Sequence, residues 1–210
     1  MSLVLTDTAV PATPSVGSTV QFAEPVARRF THKDDAGRTY TMGGFLANFN
    51  TADVTANAAD TYITGSALAV PTGLTLQVGT TANWQFYMTK TAASTATPVW
   101  TVRIGTTGTV SDAAILTFTG PAQTAVVDAG FVEINAILRN VGAAGILAGG
   151  LCLSHNLDAT GFANIGTPTL QVTSSGFVTT TAGLILGVSV NPGAAGVWTH
   201  QTVASQLQNI

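Results

Sequence analysis

Cys152, Ser154 and His155 bring a thiol, a hydroxyl and an imidazole within four residues of one another. That grouping would suit a metal site or an activated nucleophile. In a strand, however, alternate side chains point to opposite faces, so Cys152 and His155 are expected to point apart and cannot share a ligand without a bulge. Ser154 beside His155 meets the same objection, and no Gly-x-Ser-x-Gly elbow is present. The other imidazoles, His32 and His200, lie near opposite ends of the chain. Glycoside hydrolysis needs two carboxyl groups about 5–10 Å apart. Asp53, Asp60, Asp112, Asp128 and Asp158 are read at loop or turn positions and Glu133 in a strand. A carboxyl pair meeting at one end of a sandwich is the enzymatic alternative. Asp34-Asp35 offers too few oxygens for calcium and reads as a turn. The glycines from Gly142 to Gly150 have neither the lysine nor the following helix of a phosphate loop, and read as a strand allowing close backbone approach. Trp198 with His200, and Tyr62 and Tyr87 elsewhere, could stack on sugar; core or interface packing is the plainer account. The chain is therefore read as a non-enzyme, with no catalytic, cofactor-binding or metal site.

The elements that would carry these residues are strands. Trp84-Gln-Phe-Tyr-Met-Thr-Lys places Trp84, Phe86 and Met88 on one face, and Val99–Gly105 places Trp100, Val102 and Ile104 on one face. This period of two marks half-buried antiparallel strands, and the two segments are taken as a pair at the centre of the core. Further strands are expected at Phe45–Asn50, Thr61–Ser66, Thr75–Val78, Ala114–Thr119, Phe131–Asn140, Gly145–His155, Leu170–Thr173, Gly176–Thr180, Leu184–Val190 and Gly196–Val203. Turns fall at Gly120-Pro121, Asp128-Ala-Gly130 and Asn191-Pro192-Gly193. Val54–Asp60 is read as one short helical turn. Many short, evenly spaced strands with Gly/Pro turns predict an all-β antiparallel jelly-roll-like sandwich over residues 43–210. Residues 1–42, broken by Pro11, Pro14 and Pro25, are read as an extended N-terminal arm with a turn at Asp34–Gly37.

Composition narrows the partners. Charged residues make up 8% of the 210-residue chain, about a third of the ordinary share of about 25%. Thr, Ser, Ala and Gly take their place, a surface suited to being covered by copies of the chain or by a larger assembly. No Asp, Glu, Lys or Arg follows Asp158, and the net charge is −3. That excludes a basic stripe for nucleic-acid phosphates and a polybasic membrane patch. Val141–Leu153 is too short for a membrane span, no basic residue precedes Arg28, and Cys152 is the only cysteine. A soluble protein made in the cytosol is expected. Much of the scarce charge lies in the arm, where Arg28, Arg29, Lys33 and Arg38 are candidate partner contacts. In Phe131–Asn140, Val132, Ile134, Ala136 and Leu138 form an apolar face. The other face mixes Phe131, Glu133, Asn135, Ile137 and Arg139. Phe131, Glu133, Ile137 and Arg139 are candidate subunit-interface residues, with an ion pair fixing register.

Thr61-Tyr-Ile-Thr-Gly-Ser66, Trp84-Gln-Phe-Tyr-Met-Thr-Lys-Thr-Ala-Ala93, Val102-Arg-Ile-Gly-Thr-Thr-Gly108 and Ile185-Leu-Gly-Val-Ser-Val-Asn-Pro-Gly193 resemble phrases in small virion proteins of tailed bacteriophages. Within that group the chain is most similar to jelly-roll capsid decoration (cement) proteins. The resemblance implies a homotrimer on the outer capsid surface, bound to the major capsid protein and stabilising it. The body would form the trimer and the arm would reach the capsid. The alternative is a tail or fibre adhesin for host glycan.

Overall fold

The computed structural model describes residues 12–18, 20–24, 29–33, 35–36, 39–41, 44–57, 59–71, 74–157, 160–162, 169–193 and 197–209. These residues form strands and turns, with no helix among them. The strands are β1 Val20–Glu24, β2 Arg29–Lys33, β3 Thr39–Thr41, β4 Gly44–Asn50, β5 Val54–Asn57, β6 Thr61–Tyr62, β7 Leu68–Ala69, β8 Thr81–Lys90, β9 Val99–Gly105, β10 Ala113–Thr119, β11 Asp128–Asn140, β12 Gly145–His155, β13 Thr169–Phe177, β14 Ile185–Asn191 and β15 Val197–Asn209.

Strands β4 to β15 make two antiparallel sheets packed face to face. The larger runs β13-β12-β11-β8-β15-β4, with β5 also on β15. The smaller runs β10-β9-β14-β6, with β7 also on β14. Taking β4, β6, β8, β9, β10, β11, β14 and β15 as eight successive strands, the larger sheet contains the order 1-8-3-6 and the smaller 2-7-4-5. Strands β12 and β13 extend the larger sheet past β11.

This arrangement corrects one expectation. Trp84–Lys90 and Val99–Gly105 do not pair; β8 lies between β11 and β15, and β9 between β10 and β14. Both segments carry one apolar stripe, and the two stripes face each other from opposite layers, which buries both. Trp84, Phe86, Met88, Trp100, Val102 and Ile104 are all buried. Trp100 and Trp198 pack with ring centroids 5.4 Å apart and planes tilted by 41°, and Phe162 meets Trp198 edge-on at 5.3 Å. The Trp84 indole N–H donates to the Ser66 carbonyl at 2.8 Å.

Other differences have local causes. Val54–Asn57 is a strand, not a helical turn, because it pairs along β15. The Thr75–Val78 segment is no strand: the Gln77 N–H donates to the side-chain oxygens of Thr80 and Asn209 instead of a ladder carbonyl. The two segments expected within 170–180 join as one strand, β13. Strand β15 runs to Asn209, past the expected end at Val203, and carries a bulge between His200 and Thr202. The bulge resets the alternation, so Trp198 and His200 before it and Val203 and Leu207 after it all point inward. In β12, a Cβ on Gly149 would lie 2.7 Å from the Asn135 carbonyl oxygen, so the close backbone approach read from the glycines is present.

The N-terminal segment folds on itself. β1, β2 and β3 form a separate antiparallel meander; within the two pieces expected as extended, Thr31 pairs with Thr41, and Asp35-Ala36 is a turn. Gly17 N–H donates to the Asp35 carboxylate at 2.7 Å, tying the preceding turn to that hairpin. Phe22 is buried but is not part of the sandwich core.

Trp100→Ala removes a fully buried indole from the aromatic cluster that joins the sheets and should cost about 3–5 kcal/mol. Urea unfolding of the variant checks this; a loss under about 1 kcal/mol would place Trp100 outside the core.

Candidate functional site

The outer face of the larger sheet holds the residues that have no packing role in the core. Alternation along β8 and β11 sends Trp84, Phe86, Val132 and Ile134 inward, and therefore sends Asn83, Gln85, Tyr87, Phe131, Glu133, Asn135 and Ile137 outward. The register aligns these outward residues in rows. One row reads Ser154, Phe131, Tyr87, Thr202; the next reads Cys152, Glu133, Gln85, Ala204, Phe49. A third reads Gly150, Asn135, Asn83, Gln206, Ala47, and a fourth brings Ile137 beside Ala148, Thr81 and Gln208.

Among the described side chains of this face, Glu133 and Arg139 alone carry charge. Glu133 is held by amides: Asn135 Nδ2 donates at 2.9 Å and Asn83 Nδ2 at 3.2 Å. The Asn135 bond leads in pulling its pKa below the usual carboxylate value, against a smaller opposing effect of burial. Arg139 lies six residues along the same strand, about 20 Å away, at a register shift, so within the chain the two do not pair. Tyr87 and Phe131 pack with centroids 5.0 Å apart and ring planes tilted by 50°. Phe49 is 74% exposed, Tyr87 57% and Ile137 40%, on a face otherwise of amides and hydroxyls. Large apolar groups and amides without flanking charge are the chemistry of a surface that is covered by another molecule. All four interface candidates, Phe131, Glu133, Ile137 and Arg139, stand on this face. Arg29 and Lys33 bound β2 in the separate meander, and Arg28 and Arg38 lie outside the described residues.

The chemistry candidates separate. Cys152 is exposed on the outer face, while His155 turns inward and its Nδ1 meets the Asp128 carboxylate at 2.9 Å. Trp198 and His200 are fully buried, which removes them as a sugar-stacking surface and leaves Tyr87 as the exposed aromatic of that group. Tyr62 packs over β14, where Gly187 makes room for its ring. Burial, with the nearby Asp112 charge, raises the Tyr62 phenol to about 12. Asp112 is a turn cap: Thr107 N–H and Oγ1 and Gly108 N–H all donate to it. Burial raises the Asp112 pKa, but these bonds outweigh it and hold the group low. Asp60 pairs with Arg103, which also donates to Ser189 Oγ and the Asp112 carbonyl. Among the described residues no three His, Cys, Asp or Glu groups lie together as metal ligands, and no helix is long and apolar enough to cross a membrane.

Two features escaped the reading of the sequence. Lys90 is buried at the end of β8, its ammonium donating to the carbonyls of Thr91, Thr124 and Val126 at 3.1, 2.8 and 2.6 Å. Burial lowers its pKa, and the charge of Asp128, its register partner on β11, opposes that shift. The signal was present, since Lys90 continues the inward stripe of Trp84, Phe86 and Met88. The second is Asp128, read as a turn residue. It is buried and accepts from His155 Nδ1 and from the N–H groups of Ala129 and Phe162. Gly161, at φ +77°, permits this: a Cβ there would lie 2.1 Å from the carboxylate oxygen.

Comparison with protein-family models, with curated proteins and with solved structures finds no match for this chain.

His200 has no hydrogen-bond partner for Nε2 among the described residues, and burial lowers its pKa to about 4. It is neutral in the native state, whereas the unfolded chain takes up a proton below about 6.5. Its contribution is fully present above that value and is lost as pH falls to about 4, a change of about 3 kcal/mol. Urea unfolding at several pH values should show this slope, and His200→Phe should flatten it. Equal slopes in both proteins would show that His200 is not a buried neutral imidazole.

Proposed function

We propose that this chain is a structural virion protein of a tailed bacteriophage, a homotrimeric capsid decoration (cement) protein. In this reading the sandwich is a jelly roll, two nested Greek keys, as the interleaved strand order 1-8-3-6 over 2-7-4-5 favours. The observation that carries the assembly role is the outer face of the larger sheet. The face across β4, β8, β11, β12 and β15 exposes Phe49, Tyr87 and Ile137 among amides, with two charges. Copies of the chain cover it around Ile137, and the Glu133 carboxylate and Arg139 guanidinium meet partners on the neighbouring copy. The charge-rich segment at residues 1–42, with Arg28, Arg29, Lys33 and Arg38, contacts the major capsid protein on the outer surface of the particle. The likeness of the strand phrases to phage virion proteins supports the same reading. The mechanism is mechanical: one trimer bound to several capsid subunits makes their separation cost several contacts at once.

Native mass measurement should give a trimer for the full chain and for residues 43–210. Ile137→Glu places a carboxylate in the covered area and should yield monomers with an unchanged fold by circular dichroism. Undecorated capsids should bind the full chain, and removal of residues 1–42 should weaken that binding. A full-length chain that stays monomeric at micromolar concentration would refute the assembly reading.

A further inference from the structure

At the Lys90 end of the larger sheet, about 20 Å along β11 from Ile137, the outer face sinks into an open groove of about 350 Å³. Tyr87, Phe131, Ser154, His155, Asn156 and Gln201 line it. We propose that this groove is a binding subsite for a neutral pyranose sugar. The proposal is independent of the assembly reading.

The groove is built from parts with different origins. Tyr87 presents an exposed ring backed by Phe131 at 5.0 Å, a rigid apolar platform for the C–H face of a sugar ring. Gln201 is the extra residue of the β15 bulge, between His200 and Thr202. Bulges re-aim a side chain beside binding sites, and this one brings an amide to the rim. His155 is oriented from behind. Its Nδ1 meets the buried Asp128 carboxylate at 2.9 Å, which holds the ring at the inner wall of the groove. The Phe162 N–H donating to the same carboxylate fixes Asp128, so the imidazole keeps one orientation. Ser154, Asn156 and Gln201 supply both donors and acceptors, which is what vicinal hydroxyls require.

Charge selects among ligands. Asp128, behind His155, is buried and already accepts three hydrogen bonds. Among the described residues that line the groove there is no Asp, Glu, Lys or Arg. A phosphate or carboxylate ligand would therefore find no counter-charge, and a neutral polyol loses nothing by that. The volume lies at the small end of ligand pockets, about one or two sugar rings.

The test is saturation-transfer NMR on the full-length protein with glucose, galactose, mannose, N-acetylglucosamine and their disaccharides. Concentrations should reach about 20 mM, well above the roughly millimolar dissociation constant of a weak single site. At least one of these sugars should receive saturation on its ring C–H protons. Tyr87→Ala and Gln201→Ala should each weaken binding at least about tenfold, while Tyr87→Phe stays within about threefold, because the ring and not the hydroxyl is the platform. Ile137→Glu, at the far end of the face, should leave binding unchanged and serves to separate this result from the assembly test. The proposal is overturned if none of the sugars binds or if Tyr87→Ala binds as the parent does.

Discussion

A buried ammonium orders one end of this sandwich. Lys90 continues an apolar stripe into the interior, where an unpaired cation would cost several kcal/mol. The fold meets it with three backbone carbonyls, those of Thr91, Thr124 and Val126. Two of these belong to the connection between β10 and β11, so the charge holds that connection against the end of β8. Asp128 follows directly, buried opposite Lys90 in the β11 register. Through its carboxylate, His155 and the Phe162 backbone are fixed in turn. Phe162 then meets Trp198, and Trp198 meets Trp100 from the other sheet. One interior charge thus connects loop order, aromatic packing and the shape of the groove beside Tyr87.

The low charge of the chain has a structural counterpart. The body's few ionisable groups are largely committed: Arg103 to Asp60 and Ser189, Asp112 to its turn, Asp128 to His155, Glu133 to amides. The outer face of the larger sheet is left with hydroxyls, amides and exposed apolar side chains. Amide ladders are weakly solvated compared with charges, so covering them costs little desolvation, and exposed aromatics and isoleucine gain from being covered. The two uses proposed for this face occupy opposite ends of β11. At one end Ile137 and Arg139 suit a protein contact. At the other, the bulge and the ordered His155 make a concavity.

Much was legible from local sequence because strand alternation is a local property. The inward stripes of β8, β9 and β11 and the bounds of β9 and β12 follow from side-chain period and turn residues alone. The outward placement of Phe131, Glu133, Ile137 and Arg139 follows from the same period. Errors arose where a partner decided the outcome. Val54–Asn57 has no strong strand pattern and is a strand because β15 lies beside it. For Trp198 and His200 packing was the plainer account and they are buried; sugar stacking stayed open as an alternative because their burial depends on a sheet formed from residues far away in the chain.

The sequence by itself determined that the chain is all-β, that its strands are half-buried, and that its body is nearly uncharged. Alternation, turn chemistry and composition are carried by neighbouring residues. The tertiary structure alone decided that β8 and β9 lie in opposite sheets, that Gln201 is displaced by a bulge, and that Lys90, Asp128 and His155 meet. Each of these depends on contacts between residues distant in sequence, where burial of apolar stripes and the pairing of buried polar groups select one register among many.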